Sequence, residues 1–181
     1  MTGTKTALKG CVILDAPLFK DERGYLTVVY TDERFKEATG SAVNFVQDNQ
    51  SFSQYGVLRG LHYQKGKHAQ GKLIRVLQGS ILDVAVDLRT NSPTFKQHIS
   101  VELSYENKRQ LFIPKGFAHG FVVLSNTAEV LYKCDNYYNK EAECGIAYND
   151  PDLAIDWKIP SHSQILSEKD RALPNFDMAS L

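Results

Sequence analysis

The run Gly71-Lys-Leu-Ile-Arg-Val-Leu-Gln-Gly-Ser-Ile-Leu-Asp-Val-Ala-Val-Asp-Leu88 decides the fold class. Over 81–88 the side chains alternate with a period of two, so Leu82, Val84, Val86 and Leu88 share one face of a strand. Ile81, Asp83, Ala85 and Asp87 take the other face, which is either exposed or the wall of a polar cavity. Over 72–78 the same parity groups Lys72 with Ile74 and Val76. Further β-type runs lie outward from this stretch at 42–47, 56–63, 98–103, 110–113, 120–124 and 129–134. Short strands at such close spacing imply a sandwich or a barrel. Helical periodicity is confined to 32–39, with a single turn at 167–171. Gln78-Gly79-Ser80, Asn91-Ser92-Pro93 and Pro114-Lys115-Gly116 supply the turn chemistry that hairpins need. No repeat or linker divides residues 1–181, so one domain is expected.

Composition narrows the function classes. Lys+Arg and Asp+Glu both number 21, and no block of like charge occurs. Bulk electrostatics therefore draws the chain to neither a nucleic acid nor a membrane surface, and an anionic ligand must be met by a local basic pocket. The first ten residues lack the apolar core of a signal peptide, and no apolar stretch is long enough to span a bilayer, so a cytoplasmic protein is expected. Cys11, Cys134 and Cys144 show no C-x-x-C spacing, which favours reduced, mostly buried thiols over disulfides or a zinc knuckle.

Two blocks carry residues suited to chemistry. The first is Val57-Leu-Arg-Gly-Leu-His-Tyr-Gln64. Imidazole titrates nearest neutrality, which makes His62 the candidate general base, although a strand histidine on its own is as readily structural. Strand parity places His62 with Gly60 and Gln64 and sends Arg59 to the opposite side. If Arg59 and His62 serve one pocket, Gly60 must mark a bulge or bend. The second block, Phe112-Ile-Pro-Lys-Gly-Phe-Ala-His-Gly-Phe-Val-Val-Leu124, sets His119 at a glycine-flanked entry to an apolar strand.

Together the blocks resemble the dTDP-4-dehydrorhamnose 3,5-epimerase family, over about 17–174 of this chain. The resemblance implies an all-β fold, a cupin-type double-stranded β-helix (jelly roll) with short flanking helices. It implies inversion at C3 and C5 of dTDP-4-dehydro-6-deoxy-D-glucose to give dTDP-4-dehydro-L-rhamnose. A single-centre epimerase of another nucleotide-linked 4-keto-deoxysugar and a non-catalytic sugar-binding cupin are the alternatives. In the implied site His62 is the base, Asp170 orients it, Lys72 stabilises the enolate and Tyr132 is the acid on the opposite face of the ring. Arg59, His119 and Tyr138 match substrate-contacting positions, Asp83 and Glu143 match polar positions that support them, and Arg23 matches an arginine reaching the neighbouring subunit's site in a homodimer.

No cofactor or metal is implied. A metal cupin uses an H-x-H pair with a nearby glutamate, and Tyr63 and Gln64 follow His62 here. One departure stands out: after Arg23-Gly24 the family pattern is aromatic, aromatic, any residue, glutamate, whereas this chain has Tyr25-Leu26-Thr27-Val28. The acid that commonly helps hold the nucleotide is replaced by valine.

Overall fold

The computed structural model of the chain describes residues 1–179. Four short strands, β1 (Thr2–Lys5), β2 (Val12–Asp15), β3 (Leu18–Asp21) and β4 (Gly24–Thr27), precede the helix α1 (Asp32–Thr39). Then follow β5 (Gln47–Gln54), β6 (Leu58–Gln64), β7 (Lys72–Gln78), β8 (Ser80–Asp87) and β9 (His98–Ser104). The remaining strands are β10 (Arg109–Ile113), β11 (Phe117–Val123), β12 (Thr127–Cys134) and β13 (Glu143–Gly145), and the one-turn helix α2 (Glu168–Arg171) lies near the C-terminus.

Apart from β3 and β4, which pair as a separate hairpin, the strands form two antiparallel sheets, one of order β1-β2-β10-β7-β12-β5 and one of order β13-β6-β11-β8-β9. Their facing sides close over Ile74, Val76, Leu111 and Val130 from the first sheet and Ile81, Ala85, Phe121 and Val123 from the second. Parity in β8 is kept as read: Leu82, Val84, Val86 and Leu88 face outward into a second core, covered by Leu153, Trp157, Leu166 and Phe176 of the C-terminal segment. Asp83 and Asp87 point the other way and are fully buried. A third cluster seats α1 on the outer face of the first sheet, with Phe35 against Phe112 at 4.9 Å and Phe45 at 5.4 Å between ring centroids. The fold is the expected jelly roll.

Several expectations need correction. Two of the three turn signals, Gln78-Gly79-Ser80 and Pro114-Lys115-Gly116, join strands of different sheets, since β7 and β10 belong to one and β8 and β11 to the other. The chain crosses between layers there rather than reversing within one. A Cβ on Gly79 would stand 2.0 Å from the Thr127 carbonyl oxygen, at a backbone φ of +75°, so the crossing requires glycine. His62 on β6 and Lys72 on β7 likewise sit in opposite sheets. The strand expected at 42–47 is also displaced. Val43 and Phe45 are apolar because they pack beside α1, and the strand begins only at Gln47. Its sequence, QDNQSFSQ, is polar on both faces, which hid it. The short strands β1 to β4 and β13 were likewise not anticipated.

Candidate active site

A cavity of about 520 Å³ opens between the sheets, lined by Arg59, His62, Lys72, His119, Tyr132 and Asp170 among others. A smaller space of about 170 Å³, lined by Gln47, Asn49, Gln64, Tyr138 and Glu143, shares His62, Lys72 and Tyr132 with it. The two are compartments of one cleft.

His62 and Arg59 reach the same cleft because β6 bulges between them. His62 pairs with His119 and Arg59 with Phe121, leaving Gly60 and Leu61 opposite Gly120 alone. Gly60 has φ +121°, and a Cβ there would lie 2.5 Å from the Gly120 Cα. The condition set by the sequence, a bend at Gly60, is met.

His62 Nε2 lies 2.5 Å from Asp170 Oδ1. Asp170 is 5% exposed, and its second oxygen accepts the Ser167 hydroxyl at 2.9 Å. Burial opposes ionisation of Asp170, but the His62 hydrogen bond and charge, the Ser167 hydroxyl and the Lys169 charge together hold the carboxyl below its usual range. The carboxylate is therefore available to orient the ring and to stabilise an imidazolium.

Lys72 and Tyr132 come from β7 and β12, the wall facing His62. Burial pulls the Lys72 ammonium below its ordinary value, and Cys134, Asp83 and Glu143 offset this only in part. An ammonium so placed gains whenever negative charge forms on a neighbouring oxygen. Burial raises the Tyr132 phenol, helped by Cys134 and Glu143 and opposed by Arg59, so that it is protonated at neutral pH and can donate.

A second His–Asp pair lies deeper. His119 Nε2 is 2.7 Å from Asp83 Oδ1, and Asp83 Oδ2 is buried with no hydrogen-bond partner among the described residues. At the mouth the Tyr138 hydroxyl donates to Glu143 Oε2 at 2.8 Å, and Lys169 Nζ donates to the same oxygen at 2.6 Å. Burial favours the neutral acid, yet these two bonds and the Lys169 and His62 charges hold the Glu143 carboxyl low. Arg59 Nε donates to Ser53 Oγ at 3.2 Å.

Of the expected site residues, Asp83 lies behind the cleft wall, against His119, and Arg23 is not brought to the chain's own cleft at all. It caps the β3–β4 hairpin, with a side chain 83% exposed and paired with Asp21 at 2.5 Å. Val28, half-buried just beyond β4, lines neither compartment. Among the described residues no group of three or more His, Cys, Asp or Glu side chains is arranged to hold a metal ion. All three cysteines are free, and no helix among the described residues is long and apolar enough to cross a membrane.

The model of the dTDP-4-dehydrorhamnose 3,5-epimerase family matches residues 5–178. The chain belongs to this family. The Salmonella typhimurium dTDP-4-dehydrorhamnose 3,5-epimerase is 52% identical over 177 residues, covering 98% of this chain and 96% of the relative. The crystal structure of the Elizabethkingia anophelis enzyme superposes with a TM-score of 0.95 at 58% identity, covering 98% of this chain and 97% of that one. That of the Legionella pneumophila dTDP-6-deoxy-D-glucose-3,5-epimerase, in complex with dTDP-4-keto-L-rhamnose, superposes with a TM-score of 0.93 at 48% identity, covering 98% and 93%.

Within this epimerase-family cleft, several lining residues escaped the sequence reading. Gln47, Asn49 and Ser51 project from the polar strand β5, and Ser51 Oγ is buried without a partner among the described residues. Gln64 Nε2 donates to the carbonyls of His68 and Tyr137, and its Oε1 accepts from Asn139 N, which ties down the loop that carries Tyr138. Ser167 and Lys169 flank Asp170. Of these, only the Ser167-x-x-Asp170 spacing gave a signal in sequence, that of a helix cap.

Proposed function

We propose that the chain is a dTDP-4-dehydrorhamnose 3,5-epimerase that inverts C3 and C5 of dTDP-4-dehydro-6-deoxy-D-glucose. The observation that carries this reading is the placement of His62 and Tyr132 on opposite walls of one cleft with Lys72 beside the tyrosine. C3 and C5 both flank the C4 ketone, so a proton on either is acidified by the carbonyl. His62 takes that proton, and its electron pair moves into the ring to leave an enolate oxygen. Lys72 stabilises that oxygen, a contribution of roughly 3 kcal/mol by analogy with an oxyanion donor. Asp170 stabilises the imidazolium. Tyr132 then protonates the carbon from the other face, which inverts it, and recovers its proton from solvent.

In this reading Arg59 and His119 hold the sugar diphosphate, Tyr138 packs against the substrate, and Asp83 and Glu143 fix the polar groups around it. The protein acts as a single domain and as a homodimer in which Arg23, at the tip of an exposed hairpin, completes the partner's cleft. The hairpin's exposed Phe19 and Leu26 give it an apolar surface to bury in that contact. Three unpaired cysteines suit the reducing cytoplasm.

Incubation of dTDP-4-dehydro-6-deoxy-D-glucose with the protein in heavy water, followed by NMR, tests the proposal. Deuterium at C3 and C5 with formation of the L-rhamno product is the expected result. Exchange at one carbon alone would identify a single-centre epimerase, and no exchange would make the protein a binding module.

A further inference from the structure

We propose that Ser167 is a positioning residue for the base, fixing the Asp170 carboxylate that orients His62; the inference rests on the role given to His62 above. Ser167 precedes α2 with extended backbone, and its Oγ accepts from the Asp170 backbone N–H at 3.1 Å. The same hydroxyl donates to Asp170 Oδ2 at 2.9 Å, while Oδ1 faces His62 at 2.5 Å. Each carboxylate oxygen thus has its own partner, and rotation of the group breaks both contacts. Ser-x-x-acid is the spacing of a capping box, in which the acid normally returns to the cap residue's backbone N–H. Here the carboxylate turns instead to the hydroxyl and the imidazole.

The segment carrying this pair is secured to the strand that carries His62. Ile165 exchanges backbone hydrogen bonds with Gly56 and Leu58, both at 2.8 Å, at the start of β6. Beyond α2, the Ala147 N–H donates to the Pro174 carbonyl at 2.8 Å and the Phe176 N–H to the buried Asp150 at 2.6 Å. Base, carboxylate and hydroxyl are therefore held as one unit.

The hydroxyl stabilises the anionic form of Asp170, so its removal tightens proton binding by the coupled His62–Asp170 pair. The acid limb of the pH profile must then move to higher pH. The other ionisable groups that face the dyad are Lys169 on α2, Glu143 on β13, Lys72 on β7, Tyr132 on β12, Arg59 on β6 and His119 on β11, and the substitution alters none of them.

Ser167→Gly is the informative variant, because glycine is a tolerated N-cap and keeps the start of the helix. The acid limb of kcat/KM should rise by about half to one pH unit, with rates above the limb within about threefold of wild type. The His62 ring titration, followed by NMR without substrate, should shift the same way, and Ser167→Thr should restore both. Ser167→Ala provides a second hydroxyl-free variant should the glycine protein not fold. An unchanged limb and ring titration in a folded variant, or an equal loss at every pH, would overturn the proposal. Turnover that survives His62→Ala would instead overturn the base assignment, while the ring titration still reports on Ser167.

Discussion

Two histidine–aspartate pairs share one cleft, and they are built differently. Asp83 and His119 lie on adjacent strands, β8 and β11, with side chains 0% and 8% exposed. His62 draws its partner from a one-turn helix 108 residues away, and its ring is 29% exposed. A base must release its proton to solvent after each turnover, which the half-open His62 can do. The His119–Asp83 pair, almost fully enclosed, suits fixed placement of a donor. A buried aspartate with one oxygen unpartnered is costly, and its neighbour Lys72 is a half-buried cation. The proposed chemistry thus falls to the shallow pair, and the deep pair bears on stability.

The largest expected effect breaks this symmetry directly. His62→Ala should lower kcat by about 10²- to 10⁴-fold, the contribution of a general base, and leave the fold and the melting temperature nearly intact. Asp170 keeps its Ser167 partner in that variant. A folded His62→Ala enzyme with near wild-type turnover would remove His62 from the mechanism.

Lys72→Met should show an effect of opposite sign on stability. Loss of the enolate-stabilising cation should cost roughly 10²- to 10³-fold in kcat, as for an oxyanion-hole donor. The folded protein bears the cost of a partly desolvated ammonium, so its removal should raise the melting temperature modestly. Loss of both activity and stability would assign Lys72 to Asp83 as a structural counter-ion.

How far these sites could be read from the sequence depended on whether the information was local. Strand parity in 81–88 placed Asp83 on the face opposite Leu82, Val84 and Val86, but whether that face was exposed or enclosed depended on the opposing sheet. The bulge at Gly60 was legible as a condition, because Arg59 and His62 could share a pocket in no other way. The strand β5 was not legible, because its inward residues Gln47, Asn49 and Ser51 are polar to serve the cleft, and that polarity erased the alternation that marks a strand. Asp170 looked like part of a charged turn, since its partner lies 108 residues away in sequence. The resemblance carried by the two motif blocks, rather than periodicity, supplied that pairing. Arg23 illustrates the limit from the other side: its surroundings in one chain are solvent and Asp21, and the role proposed for it needs a second copy.

Smaller effects refine the contrast. His119→Ala leaves Asp83 buried without its one hydrogen-bonded partner, and removal of one member of a buried pair should destabilise the protein by about 3 to 5 kcal/mol. Denaturant unfolding of His119→Ala beside His62→Ala measures the difference. Equal midpoints would mean that water or Lys72 satisfies Asp83 and that the deep pair is no more structural than the shallow one. Tyr132→Phe should spare proton abstraction, so deuterium would still enter the substrate from heavy water while inverted product falls sharply. Parallel loss of exchange and inversion would place the acid elsewhere.

The smallest effect is a pH dependence of stability confined to the shallow pair. The folded-state carboxyl of Asp170 is held below its usual 3.8, so the sign is that of a depressed acid. Its contribution is complete at pH values above 3.8 and is lost as pH falls through the lower, folded-state value. Asp170→Asn removes the carboxylate and with it this contribution. The stability difference between wild type and Asp170→Asn, measured by denaturant unfolding at several pH values below about 5, should shrink as the medium is made more acidic. A difference that instead grows on acidification would mean that Asp170 binds its proton more tightly folded than unfolded. In that case burial, not His62 and Ser167, dominates its ionisation, and the carboxylate could not support an imidazolium as the mechanism requires.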